Sequence, residues 1–246
     1  MNVKLNSIVR FLNKELKVRR LKDFSKNGLQ VRASENITKI GLATDACMDV
    51  FQKAKKLGCN LVIVHHGLLW KKQKAKEILK NRIKFLKKNK ISLYGVHLPL
   101  DKNWKHGHNT YLFRLLGAKP KKIFGGVGYL GYLEKPRNVN SIAKEIEKEL
   151  NTNCTIWNFG KNKIEKIAIV SGGGSTDILE AIKKKVDLFI TGEAVSYVYY
   201  YAKEGKINVI FAGHYKTETS GVKSLGSLLE NKFNIKTVFI DMPTGL

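Results

Sequence analysis

Two stretches of this chain share one succession of apolar and polar positions. Residues 39–66, KIGLATDACMDVFQKAKKLGCNLVIVHH, read as strand, turn, helix and strand. Residues 166–193, KIAIVSGGGSTDILEAIKKKVDLFITGE, align on them without a gap, pairing Lys39 with Lys166, Ile40 with Ile167, Ala54 with Ala181, Leu61 with Leu188 and Ile63 with Ile190. Near-continuous apolar runs such as VIV and FIT suit parallel strands buried on both faces. The next strands correspond too: ISLYGVHLPLD (91–101) lies over NVIFAGHYKTE (208–218), with His97 over His214 and Asp101 over Glu218. The pattern predicts an α/β fold of two similar α/β lobes related by an internal βαβ repeat, the first over 1–124 and the second over 125–246.

Helical spacing predicts further elements. Ile8, Phe11, Leu12 and Leu16 mark a helix over 4–16, and the C-terminus reads as a helix from about Glu218 to Phe233 followed by a strand, KTVFID. A third helix is expected from Ser141 to Leu150, with Ser141 as its cap and Asn151 ending it. Between Lys71 and Lys90, Ile78, Leu79, Ile83, Phe85 and Leu86 recur on one face of a helix whose other face is strongly basic.

Composition changes the picture in one respect. With 246 residues, 43% of them hydrophobic and 26% charged, the chain has the makeup of a folded protein and not of a disordered one. Lys and Arg total 45 against 20 Asp and Glu, a formal charge of +25. Lysine-rich surfaces usually carry a balancing number of glutamates, and this one does not. A basic surface implies affinity for polyanions, nucleic acid among them, although a basic face alone carries no base-reading chemistry. No apolar stretch approaches the ~18–20 residues that span a bilayer, and the first twenty residues scatter charges where a signal peptide needs an apolar core. A cytoplasmic chain with no membrane partner is therefore expected. Cys47, Cys59 and Cys154 have no metal-binding or disulfide spacing and are expected to be reduced and mostly buried.

The candidate chemistry lies at strand ends, where open α/β sheets collect ligands. His65 and His66 close the strand LVIV, and alternation along a strand would let each feed one of two adjacent ions. An isolated His-His pair is better explained by packing and a loop cap. Here His97, Asp101, Glu193, His214 and Glu218 fall at equivalent strand ends of the two repeats. Imidazole with carboxylate, and no thiolate, suits Zn, Fe, Mn, Ni or Co. His106 and His108 in WKHGHNT have a His-x-His spacing that could also bind metal, but they are expected to be solvent-facing loop residues. The run Ser171 to Thr176, SGGGST, joins a strand to a helix where anions can bind, but it lacks the residues of a nucleotide-binding loop and reads first as a tight turn with Ser175 or Thr176 as the helix cap. The tyrosines at 197 and 199–201 read as helix packing or subunit contact.

These residues resemble a known family, the Nif-three-like proteins, also called GTP cyclohydrolase 1 type 2 homologs. The resemblance runs from KNGLQV (26–31) through Asp45 in LATDA, VHHGLLW (64–70), HLPLD (97–101), GHN (107–109), SGGGS (171–175) and TGE (191–193) to GHYKTE (213–218). It implies two divalent metal ions per subunit held by His65, His66, Asp101, His214 and Glu218, with His97 and Glu193 lining the pocket in a cleft between the lobes. It also implies a homohexamer. The function this suggests is metal-dependent hydrolysis of a nucleotide-like or phosphoester compound, with His97 or Glu193 moving the proton. The rival expectation is a metal-stabilised ring that binds nucleic acid or a protein partner without catalysis.

Overall fold

The computed structural model describes residues 2–72 and 75–246. The chain has a mixed α/β fold and forms two compact units, Met1–His106 with Gly221–Met242, and Gly107–Ser220 with Pro243–Leu246.

The first unit begins with β1 (Val3–Lys4) and α1 (Leu5–Glu15), whose Leu5, Ile8 and Leu12 are buried at helical spacing. There follow β2 (Gly28–Val31), β3 (Asn36–Ile37), β4 (Lys39–Asp45), α2 (Met48–Lys56), β5 (Leu61–His66), α3 (Lys76–Lys88), β6 (Ser92–Gly95) and the short α4 (Leu98–Asp101). Strands β4, β5 and β6 lie side by side and parallel, with β2 antiparallel against β6. The interior of β4 and all of β5 but His66 are buried, which accounts for their unbroken apolar runs.

The second unit comprises α5 (His108–Leu115), β7 (Ala118–Phe124), β8 (Gly128–Arg137), α6 (Val139–Leu150), β9 (Thr155–Asn158), β10 (Ile164–Val170), α7 (Ile178–Lys183), β11 (Leu188–Thr191), α8 (Val198–Glu204), β12 (Asn208–Phe211) and α9 (His214–Thr217). Its sheet has the order β7, β8, β10, β11, β12, β9. Strands β10, β11 and β12 are parallel neighbours, like β4, β5 and β6, and β9 is antiparallel beside β12 as β2 is beside β6. The chain then returns to the first unit with α10 (Ser220–Phe233) and β13 (Lys236–Phe239), which pairs in parallel with β4 from Lys236 opposite Lys39 to Phe239 opposite Leu42.

The units divide the chain differently from the boundary expected near Phe124. That boundary would cut the antiparallel hairpin β7–β8, whose turn is made by Gly125 and Gly126 with φ of 55° and 76°. The return is fixed by Val222, Leu225 and Leu229, which enter the core formed by Leu5, Ile8, Leu12, Ile40 and Ile63. Burying each such side chain contributes about 1.5–3 kcal/mol.

Smaller expectations shift by a residue or a turn. Helix α6 is capped by Asn138, whose side chain accepts the Ser141 N–H at 2.8 Å, and not by Ser141. Asn151 ends it in the left-handed conformation as expected. Helix α3 starts five residues later than the basic stretch suggests, and Gln73 and Lys74 lie outside the described residues. Of its predicted apolar face only Leu86 is fully buried, while Ile78 is 55% exposed. The three cysteines are free, with Cys59 buried and the other two half-buried. Among the described residues no helix is long and apolar enough to cross a membrane.

Candidate metal centre

Parallel pairing brings the carboxyl ends of β4, β5 and β6 to one edge of the first unit's sheet. Asp45 stands opposite His66 in the β4–β5 register, and its carboxylate takes the His66 Nδ1 at 2.9 Å. The ladder continues past β6, where the Val96 N–H donates to Val64, and the Val96 carbonyl meets His65 Nδ1 at 3.0 Å. His97 follows, its Nδ1 3.0 Å from the Asp23 carboxylate. Each of the three imidazoles thus faces a fixed acceptor through Nδ1, which holds its ring in place.

One ligand nitrogen from each of His65, His66 and His97 falls within 4.8 Å of the others, close enough to hold a metal ion. The His65 and His66 rings are 4.6 Å apart, centroid to centroid, so the expected splay to opposite faces does not occur where the strand ends. Asp101, at the end of α4 and almost wholly buried, brings Oδ2 to 3.6 Å from His65 Nε2. Acceptors behind ligand histidines fix the tautomer and orient the rings, as around many metal sites.

The roles of Asp23 and Gln30 were not legible in the sequence. Asp23 accepts the Ser25 N–H at 2.9 Å, the Asn27 amide at 2.9 Å and the Leu98 N–H at 3.1 Å besides facing His97. Burial pushes its carboxyl upward, but the hydrogen bonds from His97, Asn27 and Ser25 outweigh it and hold the group well below the usual carboxylate range. Gln30 pins the loop after His66, accepting from Leu68 N–H at 2.6 Å and donating to the Lys26 carbonyl at 2.6 Å. Asp23→Ala strands the Leu98 and Ser25 amides and frees the His97 ring. It should lower unfolding free energy by about 2–4 kcal/mol in urea titrations; a loss below about 0.5 kcal/mol would show that water replaces the carboxylate without cost.

In the second unit the same strand ends carry a different set. Beyond β11 and β12 the ladder runs on through Gly192 N–H to the Gly172 carbonyl and Gly213 N–H to the Gly192 carbonyl. Glu193 and His214 come next, with Glu193 Oε1 3.3 Å from His214 Nδ1 and Glu218 Oε2 3.2 Å from His214 Nε2. Gly213 has φ of 85°, which turns the chain abruptly from β12 into α9. Helix α9 stops at Thr217, so Glu218 sits between two helices and reaches back to His214. The Glu218 hydrogen bond, opposed by burial and reinforced by Glu193, raises His214 to about 9.

The SGGGS run forms a turn in which three amides are already used. Ser171 N–H donates to Asn109 Oδ1, Gly172 N–H to Thr217 Oγ1 and Gly174 N–H to Thr191 Oγ1. Gly172 has φ of 65°, and a Cβ there would run into the Glu218 carboxylate. The Ser175 hydroxyl donates to the Glu193 carbonyl, fixing the backbone from which that carboxylate extends.

His106 and His108 do not face solvent as expected. Gly107 caps α5, so His108 opens that helix and is fully buried, and Asn109 beside it reaches Ser171. His106 packs in the first unit, with Nδ1 2.9 Å from the Ser224 hydroxyl. Of the residues expected to form the site, His65, His66, His97 and Asp101 gather in the first unit, and Glu193, His214 and Glu218 in the second.

Comparison with known proteins gives one consistent result. A family model described as Duf34/NIF3 (NGG1p interacting factor 3) matches residues 3–245. A protein of Archaeoglobus fulgidus named GTP cyclohydrolase 1 type 2 homolog is 41% identical over 98% of this chain and 99% of its own length. One of the same name from Pyrococcus horikoshii is also 41% identical, over 98% and 99%. Among solved structures, protein ybgI, described as of unknown function, is similar with a TM-score of 0.94 at 32% identity, covering 99% of this chain and all of that one. A Thermus thermophilus protein has a TM-score of 0.91 at 36% identity with the same coverage.

Proposed function

Since the chain belongs to the Duf34/NIF3 family, we propose that it is a metal-dependent hydrolase acting on a nucleotide-like or phosphoester substrate. In this reading His65, His66 and Asp101 join His214 and Glu218 around two divalent ions, in a cleft between two α/β lobes that descend from one duplicated βαβ unit. The observation that carries it is the clustering of three imidazoles, each held through Nδ1 by its own acceptor. Histidines that only packed or capped loops would have no reason to converge within 4.8 Å. The donor set of imidazole and carboxylate fits Zn, Fe, Mn, Ni or Co. Bound there, the ions would supply Lewis acidity and lower the pKa of water toward neutrality.

The chain's own residues do the rest. Asp23 and Asp45 keep His97 and His66 in one orientation. His97, oriented by the buried Asp23 carboxylate, is placed to move the proton. Glu193, 38% exposed, can accept a proton and pass it to solvent. Assembly as a homohexamer is part of the same reading. The outer tyrosines of this region, Tyr197 at 57% and Tyr200 at 65% exposure, offer surface that an assembly would cover. A second reading, a metal-stabilised ring that binds nucleic acid or protein without catalysis, draws on the exposed lysines of α3.

The test is a turnover screen across nucleoside triphosphates and phosphoesters with protein loaded in turn with each of the five metals. The hydrolase reading expects turnover of at least one compound that chelation abolishes and one metal restores. Failure of every metal with every compound would leave the ring.

A further inference from the structure

We propose that the first unit carries a groove for single-stranded nucleic acid, in which Trp104 stacks on a base and the side chains of α1, the turn after it and the segment after α4 hold the phosphates. The groove shares no residue with the histidine cluster or with α3. It stands whether or not the chain is a hydrolase.

Two concavities make it. One, of about 610 Å³, lies between Lys14–Lys17, Arg20 and Leu21 on one wall and Pro99 with Lys102–Lys105 on the other. The second, of about 550 Å³, is lined by Arg10, Asn13, Lys14, Lys17, Arg19 and Arg20. Lys14, Lys17 and Arg20 belong to both, so the two adjoin. Seven cations line the pair, and Glu15 is their one acid, its carboxylate lying 3.7 Å from His106 Nε2. A chain of charge +25 has basic surface everywhere, but most of it is lysine. Three of its seven arginines, Arg10, Arg19 and Arg20, are here, and the guanidinium fork is the side chain that grips phosphate in two places at once.

The local structure holds these groups outward. At the end of α1, Lys17 takes a φ of 51° and the Val18 N–H closes on the Asn13 carbonyl at 3.3 Å. That turn drives Val18 into the core and leaves Lys17, Arg19 and Arg20 exposed. On the opposite wall Asn103 Oδ1 accepts the amides of Lys105 at 3.0 Å and His106 at 2.8 Å, while its Nδ2 donates to the Glu15 carbonyl at 3.5 Å. One side chain therefore shapes the second wall and ties it to the first. Trp104 rides on this turn with 56% of its surface exposed, an uncommon state for the largest apolar side chain.

An exposed indole inside a cationic groove selects the ligand class. Phosphates alone need only the cations, and a duplex hides its base faces. A single strand offers both, since aromatic side chains stack on unpaired bases irrespective of sequence while lysine and arginine follow the backbone.

The experiment is fluorescence anisotropy at low salt with three labelled probes of equal length: oligothymidylate, the same backbone without bases, and a duplex. The wild-type protein should bind oligothymidylate at least about 5-fold tighter than the abasic strand, and Trp104→Ala should lose about 5- to 100-fold on oligothymidylate alone. Trp104→Phe should keep most of the difference. Joint replacement of Lys14, Arg20 and Lys102 by Gln should weaken both single strands and reduce the slope of log affinity against log salt by about 0.7 per lost contact. The same replacement of Lys80, Lys84 and Lys87 in α3 should do neither. Equal affinity for the strands with and without bases, or an α3 variant that loses as much as the groove variant, would overturn the proposal, as would a duplex that binds more tightly. Thermal melting of each variant separates loss of binding from loss of fold.

Discussion

Glu193→Gln should lower metal-dependent turnover by about 100-fold or more while bound metal stays at the wild-type level. Glu193 aligns with His66 in the internal repeat, but its partner in the second unit is His214 Nδ1 at 3.3 Å. Its backbone is held by the Ser175 hydroxyl, so the carboxylate is positioned and not merely tethered. Being 38% exposed, it can exchange a proton with solvent, which the nearly buried Glu218 cannot do as readily. Glutamine keeps the shape and a hydrogen bond to His214 but removes the base, the loss that general acid–base catalysis feels at the scale of about 10²–10⁴. Initial rates on whichever compound the screen identifies, with metal content measured on the same samples, decide the matter. An unchanged rate would leave Glu193 a structural acid, and a loss of metal would make it a ligand.

His66→Ala and Asp101→Ala should each remove at least one ion per chain. His66 presents Nε2 from a ring fixed by Asp45, and no other side chain can reproduce both the nitrogen and its orientation. Asp101 is buried beside His65 and contributes the carboxylate of the first unit's set. Asp45→Asn leaves the ligand in place while weakening its support, and should lower metal affinity by about 10- to 100-fold without abolishing it. His106→Ala is the control. Its ring meets Ser224 and Glu15, so its removal should affect stability and not metal.

The parts legible in the sequence are those that local pattern determines. Unbroken apolar runs gave β4, β5, β10, β11 and β12, and their polar ends gave His65, His66, Glu193 and His214, because a parallel ladder must finish at one edge. What supports those residues was hidden by distance along the chain. Asp23 reaches His97 across 74 residues from a segment without periodicity. Asp45 was visible only as part of a family motif, because its role depends on the β4–β5 register. His108 looked like a loop residue because a glycine cap gives little sign that a helix starts. The return of α10 and β13 to the first unit follows from β4 having an edge that only a late strand could cover. Nothing in the local pattern of KTVF announces that partner.

The most direct test is the number of ions on folded wild-type chain, counted by native mass spectrometry together with elemental analysis after loading with Mn, Fe, Co, Ni or Zn. A di-metal centre requires two ions per chain with at least one of these metals, and a lower count in both His66→Ala and Asp101→Ala. A chain that takes up no ion under any of these conditions would contradict it, and so would variants that keep the full wild-type complement.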